Sequence, residues 1–139
     1  NYHCPGMLTR KIDTHAKQEL SDITHVVGNA VVGNGAGSGL ALVYVPHTTA
    51  AVMINECHDP AVASDVERAM ARLVPGGRHY AHAEGNADAH VKAALVGTYV
   101  QIPIEDGQLR LGRWQGVLFC EFDGPRHREV WVQVLTHAR

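Results

Sequence analysis

Residues His79 to Gly97 read HYAHAEGNADAHVKAALVG, a stretch that places three histidines, two acids and an asparagine before an apolar run. Asn86 is a residue type favoured at helix N-caps, so we predict that a loop ends there and a helix begins. Four of the following residues recur at helical spacing and are expected to face the core: Ala87, Val91, Ala94 and Leu95. The other face would then carry imidazoles, which bind metals or move protons, near N–H groups that favour anions.

A second polar cluster, His47-Thr48-Thr49, follows an apolar run that Pro46 ends, and it is the natural partner of the first stretch. His47, His82 and His90 together offer three imidazoles, which suit a zinc-type site with one position open to water or substrate. Their spacing matches no recognised metal motif such as HExxH. A hydrogen-bonded structural role for each histidine is therefore the alternative.

Further candidates surround these two clusters. Glu56, Glu84 and Asp88 have side chains that serve as general bases, as ligands of a hard metal, or as orienting partners of histidines. Glu84 and Asp88 are equally suited to stabilise the dipole at a helix start. Arg113 has the planar guanidinium that suits phosphate or carboxylate, with a solvated surface charge as the alternative.

Composition indicates one ordinary globular domain spanning residues 1–139, with 45% apolar and 19% charged residues. The formal net charge of -2 argues against a nucleic-acid-binding protein. Cys4, Cys57 and Cys120 are widely spaced and form no CxxC pair, so we expect reduced thiols in a cytoplasmic protein. We expect neither a membrane span, because no apolar run approaches ~18 residues, nor a signal peptide.

Hydrophobic periodicity predicts about seven or eight strands and three helices. The clearest predicted strands are Met7–Asp13, Gln18–Leu20, Leu40–Val45, Ala50–Asn55, Thr98–Ile104, Gln115–Phe122 and Glu129–Leu135. Leu40–Val45 is continuously apolar, which predicts burial on both faces. The last third of the chain is β only, which disfavours a Rossmann-like order and favours an α+β fold, a β-rich sandwich flanked by about three helices.

The first two helices have recognisable starts and stripes. Ser21 or Asp22 is expected to cap the first, and Asp59 the second, with Pro60 at its first position. The first stripe comprises Ile23, Val26, Val27, Ala30 and Val31, and the second Val62, Val66, Met70 and Leu73. The glycine-rich run 33–39 follows a helix and lacks a closing Lys-Ser or Lys-Thr, so we interpret it as a connector rather than a phosphate loop.

Four longer motifs resemble a known family. They are HTTAAVMINE (47–56), YAHAEGNADAHVKAALVG (80–97), IPIEDGQLRLGRWQG (102–116) and CEFDGPRHREVWVQV (120–134). The runs are similar, in consistent order over about Leu40 to Leu135, to the YjbQ family, also called the secondary thiamine-phosphate synthase family.

The resemblance implies a compact, jelly-roll-like α+β fold that is commonly trimeric, with its motif residues near a subunit boundary. It also implies a weak thiamine-phosphate synthase activity on phosphorylated small molecules, in which a thiazole phosphate displaces pyrophosphate from a pyrimidine diphosphate. By motif, His47, His82 and His90 are the expected metal ligands; zinc suits them best, and magnesium is the alternative that suits a diphosphate. On this interpretation the catalytic candidates are His90, Asp88, Glu84 and Glu56, and the substrate-binding candidates are Thr48, Thr49, Asn86, Lys92 and Arg113.

Two other functional classes stay open from the sequence. A metal-dependent hydrolase would use a histidine-bound water, and a non-catalytic module would use the histidines to hold a metal or a small ligand. Basic residues close to the histidine cluster would favour the transferase. A metal with an open coordination position favours either enzyme, whereas a closed four-ligand site favours the module.

Overall fold

The computed structural model describes residues 7–35, 37–77 and 80–136, so Cys4 and His79 lie outside the described ranges. In chain order the elements are β1 (Leu8–Asp13), β2 (Glu19–Asp22), α1 (Thr24–Asn34), β3 (Gly39–Tyr44), β4 (Ala50–Glu56), α2 (Pro60–Leu73), α3 (Ala87–Val96), β5 (Tyr99–Glu105), β6 (Gln108–Leu109), β7 (Gln115–Glu121) and β8 (His127–Thr136). The predicted α+β class is confirmed, with eight strands and three helices in the described ranges. None of these helices is long and apolar enough to cross a membrane.

The strands form two antiparallel sheets. Five strands pair in the order β1-β8-β3-β5-β6, and three pair in the order β2-β7-β4. In the smaller sheet β4 runs against β7 from Ala50 opposite Glu121 to Glu56 opposite Gln115. A turn at Asp106-Gly107 joins β5 to β6, and both of its residues adopt positive φ, as a tight hairpin requires.

The smaller sheet is a middle layer. Ala50 and Val52 of β4 pack with the larger sheet and α1 in the main core, whereas Ala51 packs with Ala89 and Ala93 of α3. This alternation follows from the period of two along a strand and explains why β4 is apolar from Ala50 to Ile54. The predicted stripe of α1 is confirmed, with its most buried residues at Val27, Ala30 and Val31.

Three local predictions need correction. β2 begins at Glu19 rather than at Gln18. β3 is buried on one face only: Ala41 and Val43 are buried, whereas Tyr44 is exposed, because no further layer within the described ranges covers the outer face of the larger sheet. In α2 the predicted cap is confirmed, since Asp59 Oδ1 accepts from the amide of Ala61 at 2.9 Å, but no residue of this helix is fully buried.

The buried face of α3 differs from the one expected from its apolar spacing. Val91 and Leu95 are exposed, and Ala94 with them, while Asp88 and Lys92 are buried beside Ala89 and Ala93. Ala87 alone of the four predicted core residues is buried. The small alanine side chains let the helix approach Ala51 and Cys120 of the smaller sheet closely, which larger side chains would prevent.

Candidate functional site

Two of the predicted histidines line one cavity, which we call the His47–His90 cavity. Its volume is about 610 Å³, within the range of small-molecule sites. It lies between three parts of the chain: the segment that follows β3, one side of α3, and β8. The lining residues are Tyr44, Val45, Pro46, His47, Thr48, His90, Ala93, Ala94, Thr98 and Trp131.

His47 is held in place by the backbone of β8. The amide of Glu129 donates to His47 Nε2 at 3.0 Å, so the proton of the neutral ring is carried by Nδ1. Burial, and then the positive charge of Arg128, lower the pKa of His47 below its usual value. His47 is therefore a neutral hydrogen-bond donor near pH 7.

His90 stands between the His47–His90 cavity and a smaller one. The second cavity has a volume of about 360 Å³ and is lined by Tyr80, Ala81, His82, Ala87, His90 and Val91. The rings of His82 and His90 meet edge to face with their centroids 5.0 Å apart. His82 Nε2 also lies 3.7 Å from Glu84 Oε2, and both side chains are largely exposed. The structure thus brings His82, Glu84 and His90 together, with Glu84 at the solvent side.

An aromatic pair in this cavity was not among the predicted site residues. Tyr44 and Trp131 stand opposite one another in the β3–β8 register and stack with centroids 5.7 Å apart and planes 22° apart. Trp131 Nε1 donates to Glu129 Oε1 at 2.8 Å, which fixes the indole. In the sequence, each aromatic residue stands between two valines of a predicted strand. The sequence does not show that these two strands pair, so it could not reveal that the two rings meet.

Adjacent threonines occupy different environments. Thr48 is exposed and lines the His47–His90 cavity, whereas Thr49 is buried and accepts from an Arg128 Nη atom at 2.8 Å through Oγ1. Arg128 also binds both carboxylate oxygens of fully buried Glu121, and Thr14 donates to Glu121 Oε1 at 2.7 Å. Thr49 therefore belongs to a buried polar network rather than to the cavity lining.

Asn86 begins α3 as predicted, although its side chain does not cap the helix. Its Nδ2 donates to Asp123 Oδ2 at 2.9 Å, while its Oδ1 is buried without a hydrogen-bond partner in the described ranges. Burial would raise the pKa of Asp123, but hydrogen bonds from Asn86 and Arg126 hold it below the usual value. The side chain thus ties the start of α3 to the turn after β7.

Asp88 and Lys92 form a buried ion pair on α3. Lys92 Nζ lies 3.3 Å from Asp88 Oδ2 and 3.0 Å from Gln18 Oε1, and both charged side chains are only 6% exposed. Neither residue is part of the lining of the His47–His90 cavity. Asp88 was predicted to be catalytic and Lys92 to bind substrate. In this structure both side chains instead make contacts inside the protein.

Glu56 and Arg113 lie at the far end of β4. His47, Thr48 and Thr49 precede the first residue of this strand and Glu56 is its last, so about 20 Å of strand separates the two groups. Arg113 stacks over Trp114, with its guanidinium carbon 4.9 Å from the ring centroid. Within one chain the structure does not bring Glu56 or Arg113 to the histidines.

The three-histidine zinc site does not fit the geometry of a single chain. Within residues 7–35, 37–77 and 80–136, no group of three His, Cys, Asp or Glu side chains is placed to hold a metal ion. The lone pair of His47 Nε2 already accepts from an amide, and Nδ1 carries the proton. His47 therefore offers no free nitrogen ligand without first breaking that hydrogen bond.

Comparisons with known proteins agree with the fold and with the motifs. Residues 9–137 match the family described as UPF0047 protein YjbQ-like. A UPF0047 protein of Methanocaldococcus jannaschii is 45% identical over 125 residues, which cover 90% of this chain and 91% of that protein. YugU of Bacillus subtilis is 42% identical over 91% of this chain and 97% of its own length. A crystal structure of a YjbQ/UPF0047-family protein from Clostridium acetobutylicum has a TM-score of 0.90 at 44% identity, covering 92% of this chain and 99% of that one.

Proposed function

Because this chain belongs to the YjbQ-like UPF0047 family, we propose that it is a transferase of the thiamine-phosphate synthase type. In this reaction the ring nitrogen of a thiazole phosphate attacks the methylene carbon of a pyrimidine methyl diphosphate. A C–N bond forms, the C–O bond to the diphosphate breaks, and its electron pair leaves with pyrophosphate. The enzyme must therefore bind two heterocycles and accommodate a departing anion.

The observation that carries the proposal is that His47, His90 and Thr48 share one cavity with a stacked aromatic pair. The faces of Tyr44 and Trp131 present π surface that suits a planar heterocycle. The volume of about 610 Å³ is in the range for a drug-sized ligand.

The two histidines have different chemical roles in this scheme. His47, neutral and protonated on Nδ1, is suited to donate a hydrogen bond to an anionic oxygen, which stabilises developing charge without a proton transfer. His90 is only half-buried, and its ring makes no hydrogen bond to the residues that the structure describes, so it is suited to give a proton to the leaving diphosphate. A divalent ion, in this proposal, enters with the diphosphate, as magnesium commonly does, rather than on three histidines.

The experiment measures thiamine phosphate formed from the two purified precursors. His90→Ala is expected to lower turnover by on the order of 10²-fold, as loss of a general acid does. His15→Ala is the control, because this side chain is 83% exposed and lies outside the cavity lining. Both variants are checked for a cooperative thermal unfolding transition.

Each outcome has one meaning. Full activity in folded His90→Ala removes this residue from the reaction. A parent protein that forms no product removes the transferase proposal, and binding of a precursor without turnover would then favour the non-catalytic module.

A further inference from the structure

Helix α3 buries charged residues while it exposes apolar ones. Asp88 and Lys92 are 4% and 5% exposed, whereas Leu95 is 65% exposed and Val91 40%. Burying large apolar side chains is the main favourable contribution to folding, and burying charges is unfavourable unless they are paired. The observed rotation of this helix about its axis is therefore not the one that its apolar residues alone would select.

Helical geometry shows how different the two rotations are. At ~100° per residue, the buried side of α3 is centred between Asp88 and Ala93, and a helix that buried Val91 and Leu95 would be turned by roughly 110°. His90 now lies on the flank that faces the His47–His90 cavity, together with Ala93 and Ala94. After such a turn His90 would lie on the opposite flank of the buried side, away from His47.

Contacts from other elements stabilise the observed rotation. The Asp88–Lys92 pair is closed by Gln18 of the segment before β2, which accepts from Lys92 Nζ at 3.0 Å. Gln18 is itself anchored, because its Nε2 donates to the backbone oxygen of Glu67 in α2. A buried pair that is satisfied in only one arrangement specifies that arrangement, since any other leaves charges unpaired in the protein interior.

We propose that Asp88 and Lys92 are positioning residues, whose buried ion pair with Gln18 fixes the rotation of α3 and thereby aims His90 into the His47–His90 cavity. The same rotation turns Val91 and Leu95 outward. The catalytic consequence rests on the function proposed above, but the rotation itself does not.

The test is the double variant Asp88→Ala/Lys92→Ala, which removes both charges and keeps good helix formers. We expect α3 to lose its single rotation. The nuclear Overhauser contact between the His82 and His90 rings, 5.0 Å apart at their centroids, should weaken or disappear. The methyl groups of Leu95 should become protected from a soluble paramagnetic reagent. In thiamine phosphate synthesis kcat should fall by about tenfold or more, because misplacing a reacting group slows the chemical step.

The matched control is Asp65→Ala/Arg68→Ala, which removes an ion pair between exposed residues of α2. It should leave the His82–His90 contact, the Leu95 methyl protection and kcat as in the parent. An Asp88→Ala/Lys92→Ala protein that is folded and shows the parent's ring contact and methyl protection overturns the proposal.

A second variant decides the case in which the double variant does not fold. Gln18→Leu leaves both charges on α3 and removes the acceptor that Gln18 offers to Lys92, together with the hydrogen bond from Gln18 to Glu67. It should weaken the same ring contact, and an unchanged contact overturns the proposal. If the parent makes no thiamine phosphate, the proposed function is wrong. The ring contact and the Leu95 methyl protection still decide whether the ion pair fixes the rotation of α3.

Discussion

At the scale of single residues, neighbouring side chains of the same type have opposite tasks. Thr48 and Thr49 follow His47 directly, and the sequence assigned both to substrate binding. The structure separates them, because Thr48 lines the His47–His90 cavity and Thr49 completes the hydrogen bonds of Arg128. A hydroxyl that satisfies a buried guanidinium contributes to stability, whereas one that faces a cavity is available to a ligand.

Valine replacements of the two threonines should therefore have opposite effects. Thr49→Val removes an acceptor from buried Arg128 and should lower the free energy of unfolding by about 1–3 kcal/mol. Thr48→Val should leave that free energy within about 0.5 kcal/mol, as exposed substitutions usually do, and should weaken precursor binding. Urea unfolding and calorimetric titration with each precursor measure the two effects, and the variants serve as controls for one another. Equal stability of both proteins would contradict the assignment of Thr49.

At the scale of elements, a buried ion pair joins the strand ends beneath the site. Glu121 ends β7 and Arg128 lies near the start of β8, while Thr14 follows β1 and Thr49 precedes β4. Burial alone would raise the pKa of Glu121, but hydrogen bonds from Arg128 and Thr14 lower it below its usual value. The network thus holds these four chain segments together around Thr49, two residues after His47.

Arg128→Met should destabilise the protein by about 3–5 kcal/mol near pH 7, because it leaves the Glu121 carboxylate buried without its partner. The folded-state pKa of Glu121 is below the unfolded value. The contribution of the pair is therefore complete above the unfolded carboxyl pKa and is lost as the pH falls through the folded one. The stability difference between parent and variant should accordingly shrink under acid conditions.

Urea unfolding at pH 7 and at acid pH tests this expectation. Arg110→Met is the control, because its partner Glu105 lies 4.0 Å away and both side chains are exposed. This control should change stability by well under 1 kcal/mol at any pH. A difference between the parent and Arg128→Met that grows on acidification would refute the linkage.

Periodicity predicted the elements well and the exposure of their faces less well. Within the predicted strand Glu129–Leu135, Val130, Val132 and Val134 occupy alternate positions, and the structure buries all three. Apolar periodicity failed for α3, because the order of polar and apolar residues along one helix does not reveal that Gln18, from another segment, accepts a hydrogen bond from Lys92. Likewise, Tyr44 and Trp131 became a pair only through the register of two strands that lie far apart in the sequence.

The candidate site was predictable only in part, for the same reason. Shared polar context suggested that His47 and His90 meet, and they do line one cavity. Glu56 belongs to the same motif as His47, yet an extended strand carries it to the far end of the sheet. Proximity in sequence therefore identifies a site only where the intervening backbone is short or turns back.

At the scale of the whole molecule, one face carries a row of aromatic side chains. Trp131, Tyr44 and Tyr99 are opposite one another on three adjacent strands, which makes an aromatic row across the outer face of the larger sheet. Tyr99 is 57% exposed, and Leu135, on the same sheet, is 52% exposed. An exposed aromatic row of this kind on a folded chain is typical of an interaction site. We propose that copies of this chain cover it in a homotrimer, the assembly implied by the family resemblance.

Light scattering at micromolar concentration should then give about three times the chain mass of 15.1 kDa. Tyr99→Asp should shift the protein towards the monomer, because a charge placed in an apolar interface loses its hydration without gaining a partner. Since Tyr44 and Trp131 also line the His47–His90 cavity, dissociation should open that cavity to solvent and lower precursor affinity as well. Leu73→Asp is the matched control, since Leu73 is equally apolar and 73% exposed on α2, beyond the smaller sheet. A parent protein that scatters as a monomer would remove the subunit boundary from the site and leave the aromatic row as a surface for ligands alone.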